Sequence, residues 1–383
     1  MLRGKLNFNY FYPACLIVLY PFSVDIFLGT RLLEIILFLF LFASIFIKVS
    51  IKENFFIYFF ILLILIFINS IFYLLKGFDP ELNGFLLFFK ILLHVLSFAL
   101  ISSSIKSLSR DEFSSLISLF IFISALIGTW SIFSFSNGTL KQIGYPLSTG
   151  VSIDSHTFGS LLTLLFTFFF LMWRKNFTPL KILLISIIFL SIFTTGSRSV
   201  IFLLPLLFFS IFFRNFIAGK ILRILLTFFL ISILLYLFEL SNLISQADEI
   251  RSLSINLAGG SELNRISRLL FVFNNLGEDF YLFGRGLFFA ETLYFDGTIT
   301  FLLYNFGLIG LIIYIFVLVV TFISYIQKGR TETLFLFIAL CSLGVSEFFL
   351  LSRWFIPVLI CYFILVEKRR REALANFRSI KIN

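Results

Sequence analysis

Residues 298–323 read TITFLLYNFGLIGLIIYIFVLVVTFI and carry no charge. A run of about 20 apolar residues is what a helix needs to cross the hydrocarbon core of a bilayer. The same kind of run recurs along the whole 383-residue chain, which is 60% hydrophobic and 13% charged. Soluble domains carry about 25% charged residues, so the solvent for most of this chain is lipid. The reading is an all-α, polytopic membrane protein with about twelve transmembrane helices. They fall near 10–29, 32–47, 55–75, 85–103, 113–135, 156–173, 179–195, 199–213, 219–238, 298–323, 334–351 and 353–366. The last two are short enough to form a re-entrant hairpin instead. Residues 1–383 read as one membrane domain without repeats or linkers.

Basic residues mark the cytoplasmic ends of membrane helices. With the N-terminus inside, the inner segments hold Arg3 and Lys5, Lys48 and Lys52, Lys106 and Arg110, Arg174, Lys175 and Lys181, Arg214, Lys220 and Arg223, Lys328 and Arg330, and a basic tail from Lys368 to Lys381. One missed span would invert every later loop, so the regularity supports both termini on the cytoplasmic side. The net charge of +10 is then mainly a topology signal. The cluster Lys368 to Arg371 reads as a flank that stops transfer, rather than as a nucleic-acid site. The first apolar run has no small-residue cleavage site and reads as a signal anchor. The 59 Phe read mostly as lipid-facing and inter-helix packing. Cys15, Cys341 and Cys361 lie inside apolar runs and form no CxxC pair, so no disulfide framework, metal or cofactor is expected.

Residues 241–297 stand apart as one long external loop with four Arg and seven acids. Long loops in compact membrane proteins usually carry function. Residues 262–276 follow the helical period, with Leu263, Ile266, Leu269, Leu270 and Phe273 on an apolar face. Arg265 and Arg268 share another edge, where guanidiniums can grip phosphate bidentately. Arg198, in the external turn Gly196-Ser-Arg-Ser199, opposes the positive-inside bias and reads as functional. In Phe283-Gly-Arg-Gly286 the glycines permit a turn that aims Arg285. Asp296 would stand at the external mouth of the tenth helix, as a base or as its N-cap. Gly307 and Gly310 would let that helix pack closely against a neighbour.

From Thr195 to Gly310 these features together resemble the shared domain of O-antigen polymerases and O-antigen ligases. The resemblance implies a metal-independent membrane glycosyltransferase of the bacterial inner membrane, acting at its periplasmic face. Its substrates would be oligosaccharides carried on polyprenyl diphosphate. Its other partners would be membrane lipids and a chain-length regulator, with no nucleic acid. Carried over, Arg198, Arg265 and Arg268 would hold the diphosphate, with Arg285 beside them. Ligases typically place a His, then Asn, Ser or Gln, nine residues before Gly-x-x-Gly. Here that place is taken by Asp296-Gly297, which shifts the resemblance towards the polymerases. Ligase and polytopic flippase or transporter remain the competing readings. Asp25, Glu34, Lys90, His94 and Glu347, in or near apolar runs, are the residues a transporter would use.

Overall fold

A computed structural model describes residues 8–20, 82–136, 155–173, 177–194, 282–286, 298–346, 352 and 354–380, with short pieces at 25–27, 30–31, 35–39, 64, 67 and 71. The helices are α1 (Phe8–Leu19), α2 (Leu82–Ser107), α3 (Arg110–Ser136), α4 (Ser155–Trp173), α5 (Pro179–Thr194), α6 (Thr298–Lys328), α7 (Thr331–Ser346) and α8 (Phe355–Ile380). Between α1 and α2, strands β1 (Asp25–Phe27) and β2 (Thr30–Arg31) pair antiparallel, with Phe27 opposite Thr30. Phe88–Ser107, Arg110–Phe133 and Thr298–Lys328 are long and apolar enough to cross a membrane. The described part of the chain has the build of an α-helical membrane protein. The expected spans at 55–75, 199–213 and 219–238 lie wholly or almost wholly outside the described residues. So do most of 32–47 and most of the long loop.

Two boundaries differ from the sequence reading. The first apolar run was expected to be one helix from 10 to 29, yet α1 ends at Leu19 and the chain turns into β1. Pro21 has no N–H for a helical bond and forces the preceding residue out of the helical region. The tenth run, expected as a single span from 298, is broken at Gly307, where φ is 62° and ψ is −161°.

Helix ends follow local rules. Before α3 the Ser109 amide donates to Glu112 Oε2 at 2.8 Å, and the Glu112 amide donates to Ser109 Oγ at 3.3 Å. This reciprocal capping box satisfies amides that have no partner in the first turn. Gly329 closes α6 with φ of 61°, and its amide donates to the Tyr325 carbonyl at 2.7 Å. That left-handed position favours glycine.

Packing runs α1 on α2 and α3, α5 on α3 and α4, and α7 on α4, α6 and α8, while α8 also meets α1, α2 and α4. The α3–α5 seam closes at a small residue: Ser191 Oγ lies 2.9 Å from the Gly128 carbonyl and 2.7 Å from its own Ile187 carbonyl. Such close approach is how helices associate in lipid, where apolar burial alone drives little. Aromatic rings fill the interior. Phe120 meets Tyr20, Phe168 and Phe169, and Phe98 packs edge-on against Phe363 at 4.9 Å. Phe89, Phe122, Phe133 and Phe316 lie more than half exposed on the flanks of the helices, the placement of lipid-facing side chains in a membrane protein. The abundance of Phe thus serves both surfaces.

The segment from Trp354 to Val366 is buried all along its length. The Ser352 hydroxyl accepts from the Trp354 amide at 3.2 Å and starts α8. His94 stacks on Phe355 with ring centroids 5.0 Å apart, so this buried histidine belongs to the packing between α2 and α8.

The basic cluster at the end of that buried segment ties four helices together. Arg369 pairs with Glu332 at the start of α7. Arg370 and Arg371 both grip Glu367, at 2.7 and 2.6 Å. Arg370 also donates to the Lys106 carbonyl at 3.1 Å, and Arg371 to Leu108 and Ser109, at the end of α2. Lys368 donates to the Met172 carbonyl at the end of α4. Helix C-termini carry unpaired carbonyls and a partial negative charge, and cations satisfy both. The ends of α2 and α4, the α6–α7 turn and residues 367–371 therefore share one face. These are places where the sequence puts Lys106, Arg110, Lys328, Arg330 and the tail cations. The cluster read as a topology flank is also a tie between helices.

Candidate functional site at the break in α6

Of the site residues read from sequence, Arg285 lies among the described residues. Arg198, Arg265, Arg268 and Asp296 lie outside them.

Arg285 sits in the turn 282–286, with φ of 68° at Gly284 and 79° at Gly286. The turn docks on the break in α6. The Arg285 amide donates to the Tyr304 carbonyl at 2.7 Å and the Gly286 amide to the Asn305 carbonyl at 2.9 Å. From the other side, the Ile309 amide donates to the Leu282 carbonyl at 3.2 Å. A broken membrane helix exposes carbonyls at the end of its first half and amides at the start of its second. Apolar surroundings tolerate such a break only if other protein groups satisfy them, and the arginine turn satisfies both ends. Contact is close enough that a Cβ on Gly284 would overlap the backbone of Asn305 to Gly307. A Cβ on Gly307 would overlap the backbone of Leu282 and Gly284. The role expected for Gly307, close contact between whole helices, is therefore corrected. It is the apex of a break, and what approaches it is a loop.

The halves of α6 fold back on each other at this apex. The Tyr314 phenol donates to the Leu340 carbonyl of α7 at 2.9 Å, which leaves its oxygen to accept from the Thr298 hydroxyl. On an unbroken helix these residues would be about 24 Å apart. The contact requires 298–306 to run back along 308–328. Thr298 and Thr300 to Gly307 are buried, and Asn305 Nδ2 donates to the Phe301 carbonyl at 2.9 Å.

From Leu308 to Lys328 the second half of α6 is about 31 Å long, close to the thickness of a bilayer core. Lys328 lies on the face of the basic tie. Gly307 and the arginine turn therefore lie about 31 Å from that face, at the other end of the second half of α6.

The Arg285 side chain is half-buried there. Its guanidinium carbon lies 5.5 Å from the Tyr304 ring centroid, and Nη1 donates to the Tyr304 hydroxyl at 3.5 Å. A guanidinium held on an aromatic ring keeps its charge and its in-plane donors. The arrangement can hold a phosphate or carboxylate. Sequence reading singled out Arg285 and missed Tyr304. The signal was present in the tyrosine three residues before Gly307, but only the fold-back brings it beneath the arginine. Among the described residues no cluster of His, Cys, Asp and Glu could hold a metal ion, and the three cysteines are free.

No protein-family model matches the chain, and no curated relative matches its sequence.

Proposed function

We propose that this chain is an O-antigen polymerase, a bacterial inner-membrane glycosyltransferase with about twelve spans and both termini cytoplasmic. It joins repeat units carried on polyprenyl diphosphate at the periplasmic face. The observation that carries the reading is Arg285, fixed by a glycine turn at the end of the second α6 half opposite the basic tie.

In this reaction the bond between the anomeric carbon of the growing glycan and its diphosphate oxygen breaks. A new glycosidic bond forms to a hydroxyl of the incoming lipid-linked repeat unit. The hydroxyl proton passes to a carboxylate or to the departing diphosphate. Arginines offset the charge that develops on the leaving group. Arg198, Arg265, Arg268 and Arg285 fill that role, and Asp296 orients or deprotonates the acceptor. The Phe-rich helices offer the polyprenyl chain an apolar surface.

The test is a gel profile of surface polysaccharide from cells lacking the gene. Glycan cut back to one repeat unit on lipid A-core is the expected result. Bare core with accumulated lipid-linked polymer would make the protein a ligase. Arg285→Ala and Arg198→Ala, each inserted at normal levels, should reproduce the single-unit profile, and normal ladders from both would remove arginine from the mechanism.

The break in α6 favours a second reading, since interrupted helices with capped half-helix ends are a mark of transporters. A flippase moves substrate without making a bond. An unchanged ladder on deletion, with altered transport of a labelled lipid-linked sugar, would select it.

Sidedness is tested separately. With the native cysteines replaced, Phe283→Cys should react with a membrane-impermeant maleimide on intact spheroplasts, and Lys328→Cys should react only after lysis. The reverse pattern would place the arginine turn in the cytoplasm.

A further inference from the structure

We propose that Tyr304 is a positioning residue that aims Arg285 at a diphosphate group, an inference that rests on the reading of Arg285 given above. Three contacts join the two residues. The Tyr304 carbonyl accepts the Arg285 amide at 2.7 Å, its ring lies under the guanidinium, and its hydroxyl accepts from Nη1 at 3.5 Å. The backbone bond fixes where the side chain starts, and the ring fixes where it ends. Tyr304 is 1% exposed and belongs to the short half of α6. That half is tied through Thr298 and Tyr314 to Leu340 of α7. The support under the arginine is therefore anchored to α7.

The ring also shapes what Arg285 can bind. With the guanidinium carbon 5.5 Å from the ring centroid and Nη1 turned to the Tyr304 hydroxyl, an anion approaches the N–H groups on the remaining edge. In-plane approach suits the oxygens of phosphate groups, which take paired N–H donors. An arginine that merely reached for headgroups would need no such support, because a flexible side chain serves that purpose. The hydroxyl contact is long for a hydrogen bond, so the ring carries most of the interaction.

Two substitutions separate these parts. Tyr304→Phe keeps the ring, and Tyr304→Leu removes it. The probe is farnesyl diphosphate, titrated against the purified full-length protein in nanodiscs. Tyr304→Phe should bind within about twofold of the parent, and Tyr304→Leu about five- to tenfold more weakly, the range of a partly desolvated cation–π contact. Should Tyr304→Leu fail to fold, mono-, di- and trifluorophenylalanine at position 304 keep the shape while draining charge from the ring face. Affinity should then fall stepwise, and a flat series would overturn the proposal.

The controls sort the failures. If Arg285→Ala weakens binding and Tyr304→Leu does not, Tyr304 has no positioning role while the reading of Arg285 stands. If Arg285→Ala binds as well as the parent, the reading of Arg285 itself fails. Phosphatidylglycerol that competes as well as farnesyl diphosphate would assign the site to lipid headgroups and overturn the diphosphate.

Discussion

Replacing Arg370 and Arg371 together by alanine should destabilise the protein by about 3–5 kcal/mol, the cost of leaving a buried charge without its partner. The asymmetry of the pair decides this. Side-chain exposure is 1% at Glu367, 51% at Arg370 and 25% at Arg371. Losing the arginines strands a carboxylate that water does not reach. Losing the carboxylate by Glu367→Gln leaves two arginines that can still turn to water and to the carbonyls of Lys106, Leu108 and Ser109. Partly exposed ion pairs contribute less than buried ones, so Glu367→Gln alone should cost less than half as much. Combined with the double arginine variant it should restore stability, because no buried charge then remains. With Cys15 and Cys341 replaced, thermal unfolding followed by a thiol-reactive dye reads this, since Cys361 is buried and labels only on opening. Additive losses in the triple variant would show that the pair is not coupled.

Gly307→Ala should abolish the arginine turn while leaving most of the helical bundle folded. At φ of 62° and ψ of −161°, a region essentially restricted to glycine, a side chain costs about 1–3 kcal/mol. That penalty is the smaller part. The new Cβ would overlap backbone atoms of Leu282 and Gly284, which cannot move without breaking the bonds that cap both halves of α6. Gly284→Ala meets the mirror obstacle and should match it. Gly128→Ala is the control: its Cβ would lie 3.1 Å from a side-chain methyl of Ile187, which a small shift accommodates. Long-chain polysaccharide should disappear with Gly307→Ala and Gly284→Ala and persist with Gly128→Ala, all at equal protein levels. Normal polymer from Gly307→Ala would show that the docking of the turn is dispensable.

Much of the helical layout was readable because lipid imposes a simple rule on composition. α2 to α5 and α7 begin or end within a few residues of the apolar runs. The alternation of Lys and Arg foretold which described ends would share a face, and the contacts of Lys368 to Arg371 join those ends. The glycine turn around Arg285 was also legible, because Gly284 and Gly286 flank it in the sequence and both take positive φ. The break at Gly307 was not. An apolar run with two glycines reads the same whether they seat a neighbouring helix or end one helix and start another. The choice depends on the turn 282–286, which supplies the missing hydrogen-bond partners from some twenty residues upstream. Tyr304 went unnoticed for the same reason, since its role exists only once the short half folds back. At the other end, Glu367 with Arg370 and Arg371 has the spacing of an ordinary surface pair. Only the burial of its carboxylate makes it structural.

α8 carries its apolar residues from Phe355 to Val366, a rise of about 18 Å, well short of a bilayer core. Residues of that segment touch protein on every side. A stretch so brief has little drive to enter lipid alone, yet it is synthesised after every other described helix. Entry of this segment therefore depends on the helices it packs against, α1, α2, α4 and α7, and Arg369 to Arg371 tie it to α7 and to the end of α2. The segment is thus held in place by protein contacts rather than by lipid.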